Sequence, residues 1–154
     1  KVLEIGSLDI NGSIRQFFED CSYIGVDLGE GKGVDLVSKG EDLDFPDNSF
    51  DVVASCECFE HNPEWVATFN NMARMCKGLV IMTCATTGRP EHGTRRTRPE
   101  DSPLLLEYGE WSDYYKNLTE DDIREVFNPD EFFSEYHFEY NPSAKDLYFW
   151  GIKK

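Results

Sequence analysis

Apolar runs alternating with helix-period segments predict an α/β fold, a mainly parallel sheet covered on both faces. Three observations carry this. Val2-Leu3-Glu4-Ile5-Gly6 is an apolar run stopped by a glycine, and Tyr23-Ile24-Gly25-Val26-Asp27 is a second, closed by an acid. From Pro63 to Gly78, Trp65, Val66, Phe69, Met72, Ala73 and Cys76 recur at helical spacing. The chain has 154 residues, 40% of them hydrophobic, enough for one core without disulfide or metal support.

Taken in order, the first strand is followed by a helical pattern from about Ser13, its N-cap, with Ile14, Phe17 and Phe18 on one face. Residues 28–33 are too glycine-rich for a helix, so the second strand leads through a loop to a third at Val34 to Val37. Phe45-Pro46-Asp47-Asn48-Ser49 is turn chemistry before a fourth strand, Phe50 to Ser55. Pro63 suits the first helical position, Gly78 ends that helix, and Leu79 to Cys84 is a fifth strand. Residues 86–116 show no period, and a loop that long in a compact domain is usually functional or mobile. Thr119-Glu120-Asp121-Asp122 resembles a capping box, with Asp in place of the usual Glu, opening a helix through Ile123, Val126 and Phe127. Phe132 to Tyr140 and Leu147 to Ile152 are two more strands, joined through Asn141-Pro142-Ser143-Ala144-Lys145. No repeat or linker divides the chain, so 1–154 reads as one domain.

Charge narrows the function classes. Thirty acidic against fifteen basic residues give a net charge of -15, a field that disfavours bulk nucleic acid and anionic lipid and favours cations. No apolar run is long enough to span a membrane, and no signal-peptide pattern opens the chain. Lys1 stands directly before a strand pattern, which leaves residues upstream an open question. Five cysteines without framework spacing read as reduced thiols, hence a cytoplasmic placement. Oligomeric state is not legible.

In parallel sheets ligands sit beyond the carboxyl ends of the strands, at the topological switch point. Residues 6–12, 27–33 and 55–61 should therefore converge, and they concentrate glycines, acids and small polar residues. Gly6 would admit close backbone approach, and Asn11-Gly12-Ser13 would offer backbone donors, or the glycine serves an ordinary tight turn. Asp27 lies 21 residues after Gly6, the spacing of a ribose-binding acid, or is a solvated strand-end acid. The three-glycine dinucleotide fingerprint is absent, which argues against a nicotinamide or flavin enzyme.

Val2-Leu3-Glu4-Ile5-Gly6-Ser7, Gly25-Val26-Asp27, Glu41 through Val53, Phe59-Glu60-His61 and Gly88 through Thr94 together resemble the class I S-adenosylmethionine-dependent methyltransferases, most closely the type-11 group. The resemblance covers residues 2 to about 94. It implies a Rossmann-like three-layer sandwich with a mostly parallel seven-stranded sheet closed by an antiparallel C-terminal hairpin, and S-adenosylmethionine as cofactor. By position it implies Glu4, Gly6 and Ser7 around the methionine moiety and Asp27 on the ribose hydroxyls. Leu28, Asp42 and Leu43 would border the adenine. Ser55, Cys56 and Glu57 would line the methyl-donor side, and Glu60 and His61 would face the acceptor. Two features depart from the family: Leu8-Asp9-Ile10-Asn11 replaces its further loop glycines, and Lys39 stands where an acid is common.

The acceptor class is a small molecule, and the basic loop points to an anionic one or a glycan precursor. Arg89 and Arg95, with Arg96 and Arg98, would receive that acceptor, or are held by Glu91, Glu100 and Asp101. Tyr108, Trp111, Tyr114 and Tyr115 would wall the pocket or pack the loop. His61 and His92 are the candidate bases, against the alternative that His61 caps the helix near Pro63 or bonds a loop carbonyl. Metal is not expected. Cys56, Cys58, His61 and Cys84 suggest zinc, but the common Cys-x-x-Cys knuckle is missing. The rival function is a non-catalytic module binding S-adenosylmethionine or S-adenosylhomocysteine.

Overall fold

The computed structural model describes residues 1–154. It contains β1 (Val2–Ile5), β2 (Tyr23–Asp27), β3 (Leu36–Val37), β4 (Phe50–Cys56), α1 (Trp65–Met75), β5 (Cys76–Ala85), α2 (Glu120–Val126), α3 (Pro129–Phe132), β6 (Phe133–Asn141) and β7 (Asp146–Lys153). One seven-stranded sheet runs in the order β3-β2-β1-β4-β5-β7-β6. The first five strands are parallel, whereas β7 is antiparallel to both β5 and β6. The order reverses between β1 and β4, so the ends of β1, β2 and β4 form the crevice expected to bind ligand.

Helix α1 forms where the period demanded it, burying Trp65, Phe69, Met72, Ala73 and Met75. Asn62 fixes its start: the Glu64 N–H donates to Asn62 Oδ1 at 2.7 Å, and Asn62 Nδ2 donates to Thr68 Oγ1 at 2.9 Å. Phe69 then packs edge-on against Phe127 and Phe149, at ring separations of 4.7 and 5.4 Å. These aromatics centre a core that runs from Leu3 to Phe149.

Both faces of the sheet are covered at β1, and the second face is covered less completely at the β5–β7 end. In the β5–β7 register, Val80, Met82 and Cys84 pair with Gly151, Phe149 and Leu147 on the helix-covered face. Their neighbours Leu79, Ile81, Trp150 and Ile152 point the other way and are partly or fully exposed. The segment after Ser13 is not an α-helix but a single 3-10 turn, Ile14–Phe17. Ser13 does cap it, accepting from the Arg15 N–H. Phe17, however, is 76% exposed, so the turn has no apolar face to bury and no packing to extend it.

Residues 28–35 form the loop that their glycines suggested, and residues 86–118 fold back over the strand ends as three short 3-10 turns. Backbone bonds fasten this second segment, from Lys116 N–H to the Glu60 carbonyl and from Leu118 N–H to that of Ala85.

Candidate functional site

A cavity of about 310 Å³ opens at the carboxyl ends of β1, β2 and β4. Its floor is Glu4, Gly6 and Ser7; its sides are Asp27, Leu28, Ser38 and Gly40, with Cys56, Glu57 and Cys58 opposite. Three carboxylates, Glu4, Asp27 and Glu57, line the half built on these strand ends, and no lysine or arginine reaches the cavity. A cationic ligand is the electrostatic match.

Local structure explains each position. Gly6 has φ +81°, and a Cβ there would lie 2.6 Å from the Cβ of Cys58, so only glycine lets β1 end against the loop after β4. The Asp27 carboxylate accepts from the Leu8 N–H at 2.9 Å and from the Leu28 N–H at 2.8 Å, which fixes the path of the loop after Gly6. Asp9 continues the brace, accepting from the Gly12 N–H and pairing with Lys32. The loop that lacks the family's glycines is thus held by two aspartates. Burial raises the Asp27 pKa, opposed by its two backbone bonds. Glu4 is buried as well; desolvation raises its pKa, while the Tyr23 hydroxyl, donating at 2.6 Å, lowers it.

Gly12 also lines the cavity, so eight of the residues expected around a cofactor meet there: Glu4, Gly6, Ser7, Gly12, Asp27, Leu28, Cys56 and Glu57. Three do not line it. Leu43 is a core residue, Asp42 is exposed, and the Ser55 hydroxyl donates to the Ile5 carbonyl, joining β1 to β4. In place of Asp42 and Leu43, Leu104, Leu105 and Trp111 close the far wall, with the ammonium of Lys39 5.0 Å from the Trp111 ring. The aperiodic segment gave no signal of this, because a 3-10 turn has no long-range period to read.

Beyond the cavity the histidines come together. The rings of His61 and His92 lie 5.0 Å apart, and Tyr115 lies 5.6 and 5.1 Å from them. His61 makes no capping bond to α1, Asn62 instead accepting from the Glu64 N–H just ahead of it, and the buried Nδ1 of His61 has no hydrogen-bond partner. Burial and the neighbouring His92 depress the His61 pKa to about 3, so its ring is neutral at physiological pH and only weakly basic. His92 Nδ1 lies 3.0 Å from the Pro90 carbonyl. Glu60 is fully buried beside them, and burial together with Glu57 raises its pKa to about 8.

Three of the four arginines are held within the loop, and Arg89 ties it to β7. Arg89 pairs with Asp146 at 2.7 Å, Arg95 with Asp113 at 2.6 Å, Arg96 with Glu91 at 3.0 Å and Arg98 with Asp101 at 3.2 Å. Of the two readings of this cluster, the loop-holding one is the arrangement found. All five cysteines are free, and burial raises the thiol pKa of Cys58, Cys84 and Cys56, the last to about 11. Protonated thiols are poor metal ligands.

Residues 11–82, just under half of the chain, match the family model described as a methyltransferase domain. No curated protein sequence matches. Among solved structures, an S-adenosylmethionine-dependent methyltransferase from Thermotoga maritima, described as a possible histamine N-methyltransferase, superposes with a TM-score of 0.64 at 14% identity, over 100% of this chain and 82% of that one. The Burkholderia thailandensis 1,6-didemethyltoxoflavin-N1-methyltransferase, solved with its substrate and S-adenosylhomocysteine, gives 0.62 at 16% identity over 99% and 71%. The carbon methyltransferase CurJ gives 0.63 at 14% over 99%, but the chain spans only 48% of that structure's length. The fold is that of the class I S-adenosylmethionine-dependent methyltransferases.

Proposed function

We propose that this chain is a methyltransferase domain that binds S-adenosylmethionine and transfers its methyl group to a small-molecule acceptor seated between residues 57–61 and the 86–115 segment. One observation carries the reading: a cavity at the switch point lined by four carboxylates, Glu4, Asp27, Glu57 and Asp101, and by no lysine or arginine, to suit a cofactor that is a sulfonium and an ammonium. Asp27 takes the ribose hydroxyls, Glu4 the ammonium, and Gly6 and Ser7 the methionine tail. Leu28, Leu104 and Trp111 sandwich the adenine in the place first read for Asp42 and Leu43.

The reaction asks little further of the protein. A lone pair of the acceptor forms the bond to the methyl carbon as the C–S bond breaks, and the electrons return to sulfur as a neutral thioether. Placing the nucleophile in line with that bond can supply about 7–11 kcal/mol of barrier reduction. His61 and His92 border the acceptor side, with His61 better suited to accept a hydrogen bond or ligate than to act as a strong base. With the arginines paired internally, the support for an anionic acceptor or glycan precursor weakens, and the class narrows to small molecules that reach the His61 wall. Free, protonated cysteines support a cytoplasmic setting.

Calorimetric titration with S-adenosylmethionine, followed by S-adenosylhomocysteine release across hydroxyl, amine and carbon acceptors, tests this. Micromolar cofactor binding with acceptor-dependent release is expected, and an absence of cofactor binding overturns it. The single 3-10 turn after Gly12, where an α-helix was expected, favours the second reading of a non-catalytic binding module. Binding without release for any acceptor would select it.

A further inference from the structure

We propose that Glu60, His61 and His92 form a binding site for a divalent cation of the zinc type, with an open coordination position facing the cavity. Each residue offers one ligand atom, and the three atoms lie within 4.8 Å of one another. Zinc bonds to nitrogen and oxygen of about 2.0–2.1 Å place tetrahedral ligand atoms about 3.4 Å apart, within reach of small side-chain rotations. Two imidazoles and one carboxylate are a donor set used by catalytic zinc sites that retain a free position.

A second observation is independent of that spacing. Glu60 is 0% exposed, and neither carboxylate oxygen has a hydrogen-bond partner; the buried His61 Nδ1 has none either. The Glu57 carboxyl and the N–H groups of Glu60 and Ala85 lie near the Glu60 carboxylate, but none makes a hydrogen bond of good geometry to it. The nearby guanidinium of Arg89 is engaged by Asp146 and the Ala144 carbonyl. Buried polar atoms left unpaired are costly, so such a group needs a partner. A cation bound by the neighbouring imidazoles supplies one.

The surroundings are those of a ligand set rather than a packing accident. The Pro90 carbonyl beside His92 Nδ1 fixes the tautomer that presents Nε2, the orientation metal-ligating histidines commonly take. Gly93 has φ +62°, and a Cβ there would fall 2.6 Å from Cε1 of His61, so the loop carrying His92 seats directly against the His61 ring. Glu91 holds that loop by accepting from the Thr94 hydroxyl at 2.7 Å. His61 lines the cavity, whereas Glu60 and His92 do not, so the open position faces inward on the His61 side. An acceptor oxygen would occupy it, a role that rests on the methyl-transfer reading; cation binding itself does not. The site differs from the cysteine arrangement that the sequence suggested, since its ligands are one acid and two imidazoles.

The test strips the purified full chain with a chelator and titrates zinc against a chromophoric competitor, then substitutes cobalt. One equivalent is expected, with visible ligand-field absorption and no near-ultraviolet thiolate charge-transfer band. His92→Ala and Glu60→Gln should each weaken zinc binding at least tenfold, on the order of the losses seen even for supporting residues of such sites. His92→Ala should leave S-adenosylmethionine affinity unchanged, since His92 does not line the cofactor cavity. His92 is half-buried in a loop, so its alanine variant remains informative should Glu60→Gln fold poorly. Absence of stoichiometric zinc, a thiolate band, or unaltered zinc affinity in the His92 variant overturns the site. Wild-type protein that binds zinc but no S-adenosylmethionine would instead overturn the methyl-transfer reading and leave the cation site standing.

Discussion

The Asp27 carboxylate holds the Leu8 and Leu28 N–H groups from a partly buried position, so it shapes the loop while lining the cavity. Asp27→Ala is expected to weaken S-adenosylmethionine binding by about 1.5–3 kcal/mol, the scale of a lost charged hydrogen bond, and calorimetry reads it directly. The pH dependence has a definite sign. Burial raises the pKa of both Asp27 and Glu4, so above the ordinary carboxylate range each still holds a proton that the unfolded chain has released. Their contribution to stability therefore falls as pH rises through that window. Ligand affinity moves the other way, because hydroxyl and ammonium donors need the ionised carboxylates. Cofactor titrations from mildly acidic to neutral pH should show tightening that Asp27→Asn and Glu4→Gln each reduce. Gly6→Ala forces a side chain onto φ +81° and into Cys58, so a loss of at least 1 kcal/mol, about the cost of the left-handed backbone alone, is expected in denaturant melts.

At the scale of elements, α2 shows how seven residues stand as a helix. The Asp122 N–H donates to Thr119 Oγ1 at 3.2 Å, and the Thr119 N–H donates to Asp122 Oδ2 at 2.8 Å, so the capping box is closed with aspartate in the glutamate's place. Thr119→Ala opens it. The expected cost is about 1 kcal/mol, visible as a lowered urea midpoint with an unchanged slope. The contrast with the Ile14–Phe17 turn is instructive. Ser13 caps that turn too, but Ile123 of α2 is buried whereas Phe17 is exposed. A cap starts a helix, and burial of a face keeps it.

Across the whole molecule the excess of acids dominates. With a net charge of -15, self-repulsion opposes the compact state, while thirteen ion pairs, nearly all at the surface, each contribute little. Raising salt toward physiological strength, where the Debye length is about 8 Å, should therefore raise the melting temperature. A fall on scanning calorimetry would show that the arginine pairs of the 89–101 segment matter more than the global field.

Strand positions, the α1 face, the Thr119 cap and the convergence of Glu4, Gly6, Asp27 and Glu57 were legible in the sequence. Period, glycine and turn chemistry are local properties, and parallel-sheet topology then brings strand ends together. Other features were decided only by tertiary contact. The open face at Leu79 and Trp150, the seating of Leu104 and Trp111 over the cavity, and the internal pairing of the arginines all depend on which surface a non-periodic segment meets. So does the meeting of His92 with Glu60 and His61, since thirty residues of chain lie between the two histidines. Whether a buried carboxylate finds a partner is settled by the neighbours that folding delivers, and nothing in its local sequence encodes them.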